Sequence, residues 1–327
     1  MKKIFLLIAI VINLLVADNI LLEKAQKANL LPIPSSTSEL LKLIDEPQNP
    51  ITDAKIELGK KLFFDPRLSK SNLISCNTCH NLGLAGVDGV STAIGDNWQA
   101  NPQHLNSPTV YNSVFLTFQF WDGRSPHLAD QAKGPLTAPF EMASKPEDLA
   151  KKISSIKGYQ ELFDQTYGQN TQITFELIAD TIAIFEKTLV TPSKFDKFLE
   201  GDMDILSEKE KKGLHTFIDK RCVSCHNGVA LGGMMKYFVM KNFTYKDIGS
   251  FSGNDNFLVK VPTLRNISKT APYFHNGSVW SLNEAVLEMA RIQLKLKITD
   301  EEAQSIVDFL KSLDGDMPNI TYPTLPY

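Results

Sequence analysis

The chain has 327 residues, of which 43% are hydrophobic and 22% are charged, and its formal net charge is −3. A chain of this length and composition can bury more than one core, which excludes an intrinsically disordered protein. The slightly acidic balance argues against the basic surface with which nucleic-acid-binding proteins contact phosphate groups.

Residues 1–17 have the three parts of a secretory signal peptide. Lys2 and Lys3 give a basic start, an apolar stretch interrupted only by Asn13 follows, and Ala17 is a small residue suited to cleavage. The apolar stretch is shorter than the roughly 20 residues of a membrane-spanning helix, although an uncleaved membrane anchor is the alternative interpretation. The pattern predicts export to the periplasm and no membrane span after cleavage.

All four cysteines of the chain lie in two Cys-x-x-Cys-His pentads, which contain Cys76, Cys79 and His80, and Cys222, Cys225 and His226. This pentad is the attachment signal of a c-type haem. Two cysteines on one face of a helical turn can each form a thioether with a haem vinyl group, and the histidine becomes the proximal iron ligand. The pentads therefore predict two covalently bound c-type haems.

Other interpretations of the cysteines are a single four-cysteine zinc site, two short disulfides, and chance placement of the two histidines. A zinc site gives no role to the histidine that follows each pair. A thioredoxin-like disulfide needs a βαβ pattern, which surrounds neither pair. These alternatives explain less of the pattern than two haems do.

The region between the pentads predicts a helix followed by a domain boundary. Apolar residues recur at spacings of 3 and 4 over residues 175–189, and the Thr-Pro-Ser run at 191–193 ends this amphipathic pattern. Capping boxes predict further helices, which begin at Ser207, Ser281 and Thr299. The predicted fold is mainly α, with two cytochrome c-like domains at residues 18–190 and 191–327, each holding one haem among long connecting loops.

Several runs outside the pentads point to a known family. They lie at residues 62–69, 106–110, 120–124, 131–135, 141–142, 261–266 and 272–277. In order and spacing, the chain resembles the bacterial dihaem cytochrome c peroxidases and their relatives of the MauG type, over nearly the whole mature chain. The resemblance implies an enzyme that reduces hydrogen peroxide to water with two electrons from a small periplasmic cytochrome c or a similar donor.

The resemblance implies different roles for the two haems. His80 is expected to be the proximal ligand of a low-potential, peroxidatic haem. His226 is expected to be the proximal ligand of a high-potential haem with Met289 on its distal side, although a methionine on an apolar helix face would otherwise be assigned to the core. Electrons are expected to enter at the C-terminal haem and to cross Trp121, an aromatic bridge, to the N-terminal haem.

Glu141 matches the distal carboxylate of the family, and Gln131 matches its amide companion. Heterolytic cleavage of the O–O bond requires a proton to move from one peroxide oxygen to the other. A carboxylate whose pKa is raised by burial can accept that proton and return it.

Asn106, Thr270 and Pro272 match a calcium site between the domains of the family. A side-chain amide and backbone carbonyls provide the hard oxygen ligands that calcium prefers. The resemblance further implies that one calcium ion is bound and that the enzyme is a homodimer.

The sequence departs from the family on the distal side of the N-terminal haem. Most members have a histidine sixteen positions after the proximal histidine, in a Gly-His-x-Trp stretch, and here that position is Asp96. The following loop, residues 99–105, is about two residues longer than the common pattern and contains His104. The site is therefore expected to be open without reductive activation, with His104 as an alternative ligand.

Two other functions fit the same motifs. A MauG-like dihaem oxidase would act on a side chain of a partner protein, but that type has a tyrosine where this chain has Met289. A dihaem cytochrome that only transfers electrons would need neither Glu141 nor Gln131.

Overall fold

The computed structural model describes residues 18–245 and 250–327, so the signal peptide expected at residues 1–17 lies outside the described part. Residues 18–27 are helical. The helices that follow are α1 (Thr37–Ile44), α2 (Asp53–Phe64), α3 (Cys76–Cys79), α4 (Leu128–Thr137), α5 (Pro146–Ser155), α6 (Lys157–Tyr167), α7 (Phe175–Lys187), α8 (Lys194–Leu199), α9 (Glu208–Asp219), α10 (Leu282–Gln293) and α11 (Asp300–Lys311). Strands β1 (Met235–Tyr237) and β2 (Leu258–Lys260) pair antiparallel. The prediction of a mainly α fold with long loops is confirmed.

Side-chain caps start the helices that the sequence predicts. The hydroxyl of Thr174 accepts a hydrogen bond from the N–H of Leu177 at 3.1 Å at the start of α7, and complete capping boxes open α9 at Ser207 and α11 at Thr299. At Ser281 only the hydroxyl half of the box forms. Each cap satisfies N–H groups that would otherwise lack a partner in the first turn of the helix.

The helices surround two separate hydrophobic cores. The first core is formed mainly by α2 and α4 to α7, and the second by α8 to α11. The two cores meet along the chain between Leu189, which belongs to the first, and Phe195, which belongs to the second. The domain boundary near residue 190 stays a prediction that is compatible with this division.

A glycine lies at the main helix crossing of each core. A Cβ atom on Gly59 of α2 would lie 2.3 Å from the carbonyl oxygen of Thr181 on α7, and one on Gly213 of α9 would lie 2.1 Å from that of Ser305 on α11. Only glycine permits so close an approach of two helix backbones. The helix preceding each pentad is thereby pressed against the last long helix of its core.

Each end of the described chain packs on the domain that is farther from it in sequence. Near the start, Leu21, Ala25 and Leu30 belong to the second core. Near the other end, Tyr322 packs edge-on against Phe64 of α2 with ring centroids 4.9 Å apart. The two domains are therefore connected by both chain ends as well as by the segment around residue 190.

Thr191 joins polar groups of both domains at that segment. Its hydroxyl accepts hydrogen bonds from the side-chain amides of Asn112 at 2.7 Å and Asn266 at 2.8 Å. All three residues are fully buried.

In the described part of the chain, no helix has the length and apolar character needed to span a bilayer.

Candidate haem sites

The first pentad begins a short helix whose last residue is followed by His80. Cys76 and Cys79 begin and end the single turn α3, and Cys76 packs against the first core. Nδ1 of His80 lies 3.4 Å from the carbonyl oxygen of Gly86. Because a carbonyl only accepts, Nδ1 carries the proton and Nε2 keeps the lone pair that an iron ligand needs. Burial lowers the pKa of His80, which keeps the ring neutral.

The second pentad repeats this arrangement on the other core. Cys222 begins a 3₁₀ turn and packs against the second core, and Nδ1 of His226 donates to the carbonyl oxygen of Leu231 at 3.0 Å. Burial lowers the pKa of His226 to about 4. Nε2 of His226 is therefore also available to a metal. Both pentads fit a c-type haem by the same observation, an imidazole oriented by a backbone carbonyl.

The arrangement of the cysteines argues against a single four-cysteine zinc site. The two pairs belong to different cores, so they cannot surround one zinc ion. Across residues 18–245 and 250–327, no three His, Cys, Asp or Glu side chains gather as a metal-binding cluster. All four cysteines are free thiols and available for thioether formation.

A large cavity, mainly apolar, opens beside the second pentad. Cys222, Cys225 and His226 line it, and Met289 of α10 lines it as well. His226 and Met289 thus face one space, as the proximal and distal ligands of one haem must. An apolar lining with a histidine and a methionine fits a haem of raised potential.

Trp121 lies in the wall of this cavity, where the two domains meet. Its ring is 8% exposed, and its Nε1 donates to the carbonyl oxygen of Asn106 at 2.9 Å. Pro108 lines the same cavity, and a hydrogen bond to its backbone raises the pKa of His80, against the larger effect of burial. The cavity of the second pentad therefore reaches the backbone that contacts His80, the histidine of the first pentad.

Glu141 lies near the first pentad, in the loop that follows α4. Burial raises the pKa of Glu141, and the positive charge of Arg124 partly offsets this effect. Burial raises the pKa of Cys79 to about 12, to which the charges of Asp88 and Glu141 contribute. Glu141 is therefore a protonatable carboxyl within electrostatic reach of the first haem attachment site.

Gln131 is half-buried on α4, ten residues before Glu141 in sequence. Its backbone N–H donates to the carbonyl oxygen of His127, as the first turn of the helix requires. In the described part of the chain, the side chains of Gln131 and Glu141 form no direct hydrogen bond with each other. Their pairing as amide and carboxylate stays a prediction.

Asp96 is held in a tight turn against the loop that carries Glu141. The N–H of Asp96 donates to the carbonyl oxygen of Glu141 at 2.6 Å, and its side chain is 2% exposed. One carboxylate oxygen accepts from the N–H of Ser71 at 3.1 Å and the other from the amide of Asn97 at 2.9 Å. Both oxygens thus have protein partners. His104 is half-buried in the longer loop, with the left-handed φ of 51°.

The three residues of the expected calcium site line the cavity beside Trp121. Asn106, Thr270 and Pro272 all contribute to its wall. The amide nitrogen of Asn106 donates to the carbonyl oxygen of Val90 at 2.8 Å, so its amide oxygen is the atom available to a cation. The calcium site stays a prediction.

Two buried charged residues near the haem sites were not found from the sequence. Lys260 is 4% exposed and lines the cavity of the second pentad, and Glu186 of α7 is 6% exposed and lies near Cys76. The sequence around each residue contained a pattern that could have identified it. Lys260 interrupts an apolar run, and Glu186 lies four residues after Ile182 on the buried face of its helix.

Comparisons with known proteins agree with two haem domains. A family model described as di-haem cytochrome c peroxidase matches residues 53–204, and one described as cytochrome c matches residues 210–314. The cytochrome c551 peroxidase of Nitrosomonas europaea is 48% identical over 279 residues, which are 83% of each chain. The cytochrome c551 peroxidase of Pseudomonas aeruginosa is 42% identical over 90% of this chain and 87% of that one.

Proteins of the MauG type are also similar, at lower identity. The methylamine utilization protein MauG of Methylorubrum extorquens is 32% identical over 85% of this chain and 83% of its own. The solved structure of a MauG-like protein associated with microbial copper homeostasis matches with a TM-score of 0.72 at 24% identity, over 83% of this chain and 93% of that one. The structural match supports the fold.

Proposed function

This chain belongs to the di-haem cytochrome c peroxidase family, and we propose that it reduces hydrogen peroxide to water with two electrons from a small cytochrome c or a similar donor. The observation that carries the proposal is the asymmetry between the two pentads. The second has both His226 and Met289 in its cavity, which suits electron transfer. The first has the protonatable carboxyl of Glu141 within electrostatic reach, which suits catalysis.

Each residue set supports its haem in a different way. When bound, the haems supply one-electron redox chemistry and an iron at which peroxide is reduced. Cys76, Cys79 and His80 would hold the first haem, and Cys222, Cys225, His226 and Met289 would hold the second. The carbonyls of Gly86 and Leu231 fix which imidazole nitrogen faces the metal.

Glu141 moves the proton that the reaction requires. Reduction of one H₂O₂ consumes two electrons and two protons and yields two waters, and the O–O bond breaks once one oxygen has become a good leaving group. Glu141 accepts a proton from one peroxide oxygen and returns it to the other. Burial raises the pKa of Glu141 toward neutral pH, so the carboxyl group can both accept the proton and release it. Gln131 orients the peroxide by hydrogen bonding.

Trp121 provides the route between the domains. Its indole lies in the wall of the second cavity and is hydrogen-bonded to the backbone of Asn106. Asn106 and Pro108 belong to the loop that reaches His80. Electrons accepted at the second site therefore have an aromatic bridge toward the first.

The assembly and environment of the enzyme are part of the same proposal. The signal-peptide pattern of residues 1–17 supports export to the periplasm. The positions of Asn106, Thr270 and Pro272 in one cavity wall support a calcium ion between the domains, and the family resemblance supports a homodimer. Calcium removal with a chelator, followed by measurement of mass in solution and of peroxide turnover, tests the calcium ion and the homodimer.

The decisive experiment compares enzyme that starts fully oxidised with enzyme that starts half-reduced. Peroxide-dependent oxidation of a reduced donor dye is followed in both. Because the carboxylate of Asp96 is bound to Ser71 and Asn97, we expect equal activity without a lag. Activity only after pre-reduction would identify a gating ligand, for which His104 is the candidate. No activity from either start would contradict the peroxidase function.

A further inference from the structure

Lys260 is a buried lysine for which the described part of the chain provides no ion-pair partner. Its side chain is 4% exposed and lines the cavity that contains His226 and Met289. The charge that acts on it, that of Asp122, forms an ion pair with Arg124 at 2.9 Å instead. Across the described ranges 18–245 and 250–327, no carboxylate forms an ion pair with Lys260. Burying such a cation is costly unless an anion compensates it.

The other lysines of this cavity differ from Lys260. Lys220 forms an ion pair with Glu302 at 2.6 Å, and Lys236 is exposed to solvent. Burial lowers the pKa of Lys260 to about 8, so the ammonium form still predominates at neutral pH. A buried ammonium group without an ion pair therefore points to an anionic occupant of the cavity.

Backbone hydrogen bonds fix the position of Lys260 next to Trp121. Lys260 ends β2 opposite Met235 of β1, and its N–H donates to the carbonyl oxygen of Trp121 at 2.8 Å. The following residue, Val261, donates to the carbonyl oxygen of Met234 at 2.8 Å. These hydrogen bonds at consecutive residues fix the backbone at Lys260, whose side chain lines the cavity.

We propose that the ammonium group of Lys260 is the charge partner of the propionate carboxylates of the haem in this cavity, and that it raises the reduction potential of that haem. A c-type haem carries two propionates, which are the anions that the cavity would receive under the proposed function. A positive charge beside them stabilises the reduced state, which has one more negative charge than the oxidised state. Lys260 is thus a positioning and tuning residue, which does not touch peroxide.

The test measures the midpoint potential of each haem by spectroelectrochemistry in the full-length, haem-loaded protein, without peroxide. Lys260→Met should lower the ratio of reduced to oxidised C-terminal haem at the wild-type midpoint by about tenfold, which equals 59 mV for one electron. Lys260→Arg keeps the charge and should change this ratio less than about threefold. Lys236→Met removes an exposed charge from the same wall and should also have a small effect.

Every outcome decides the proposal. An unchanged potential in Lys260→Met, or an equal fall in Lys236→Met, overturns it. If Lys260→Met does not retain haem, Lys260→Arg decides: haem retained at the native potential supports the charge role, and haem lost there too overturns it. The measurement contains no peroxide, so failure of the tuning role is distinguishable from failure of the peroxidase function.

Discussion

The indole Nε1 of Trp121 donates to the carbonyl oxygen of Asn106 at 2.9 Å, while the carbonyl oxygen of Trp121 accepts from Lys260 at 2.8 Å. The ring is thereby held by the first domain and its backbone by the second. If Trp121 carries electrons as proposed, these two hydrogen bonds hold it in place between the two domains.

Replacing Trp121 by phenylalanine should slow electron transfer between the haems. Trp121→Phe keeps an aromatic ring but loses the hydrogen bond to Asn106 and part of the buried contact area. We expect at least a tenfold lower rate of inter-haem electron transfer, measured by stopped-flow absorbance after rapid reduction of the C-terminal haem. Trp98→Phe, at a ring that is 67% exposed, is the matched control and should leave the rate unchanged. Equal rates in all three proteins would remove Trp121 from the route.

Replacing Glu141 by glutamine should abolish most of the turnover. Glu141→Gln retains the size of the side chain but cannot accept a proton, and loss of a positioned acid–base group costs about 10²–10⁴-fold in rate. Steady-state peroxide turnover is measured together with both haem spectra, which should stay native. Glu147→Gln, at an exposed position of α5, is the control. Turnover that survives in Glu141→Gln would exclude Glu141 as the proton carrier.

The pH profile of turnover should respond to Arg124. The positive charge of Arg124 lowers the pKa of Glu141, against the larger effect of burial, so its removal should raise that pKa further. Under the proposed function, Glu141 acts as a base in its deprotonated form, so the acidic limb of kcat/KM should move to higher pH in Arg124→Gln. Arg124→Lys preserves the charge and should keep the limb in place. Because the Arg124 side chain is 54% exposed, the shift should shrink at high salt.

Replacing Met289 by histidine should lower the potential of the C-terminal haem. A thioether ligand favours the reduced iron more than an imidazole does, so Met289→His should also slow electron entry from the donor. The measurement is a spectroelectrochemical titration of that haem. Met203→His changes a partly buried methionine that packs against the second core, and it is the matched control. A potential that is equal in Met289→His and wild type would exclude Met289 as a ligand.

Replacing Glu186 by glutamine should remove a pH dependence of stability. Burial raises the pKa of Glu186 from 4.5 to about 8, so the folded state binds a proton that the unfolded state has lost between these values. Its contribution to the free energy of unfolding therefore falls as pH rises through this window, by up to about 1.4 kcal/mol per pH unit. Glu186→Gln should gain stability relative to wild type from pH 5 to 8 in urea unfolding. Glu176→Gln, exposed on the same helix, should run parallel to wild type.

Features that depend on neighbours in sequence were accessible without the structure. The helix α7 follows from the spacing of Phe175, Ile178 and Ile182, and its start follows from Thr174, because both depend on one turn of chain. The half-formed box at Ser281 shows the limit of this reasoning. The carboxylate of Glu284, which should complete it, accepts instead from the hydroxyl of Tyr245 at 3.4 Å.

Features that depend on tertiary contacts were not accessible. Gly86 and Leu231 accept hydrogen bonds from the two pentad histidines because the chain folds back over five or six residues outside any regular element. The N–H of Lys260 donates to the carbonyl oxygen of Trp121, which lies far away in sequence. The packing of Leu21 on the second core was missed because an apolar pattern does not identify its partner.

The crossing of the chain ends has a consequence for a protein cut near residue 190. The carbonyl oxygen of Thr324 accepts from the ammonium group of Lys61 at 2.7 Å, and that of Tyr327 accepts from the N–H of Gly158 at 3.2 Å, both in the first domain. The N–H of Gly228 in the second domain donates to the carbonyl oxygen of Asn29 at 2.7 Å. After cleavage, each fragment would still contain a terminal segment that packs on the domain of the other fragment. A single cleavage near residue 190 should therefore leave the two fragments associated as a complementing pair.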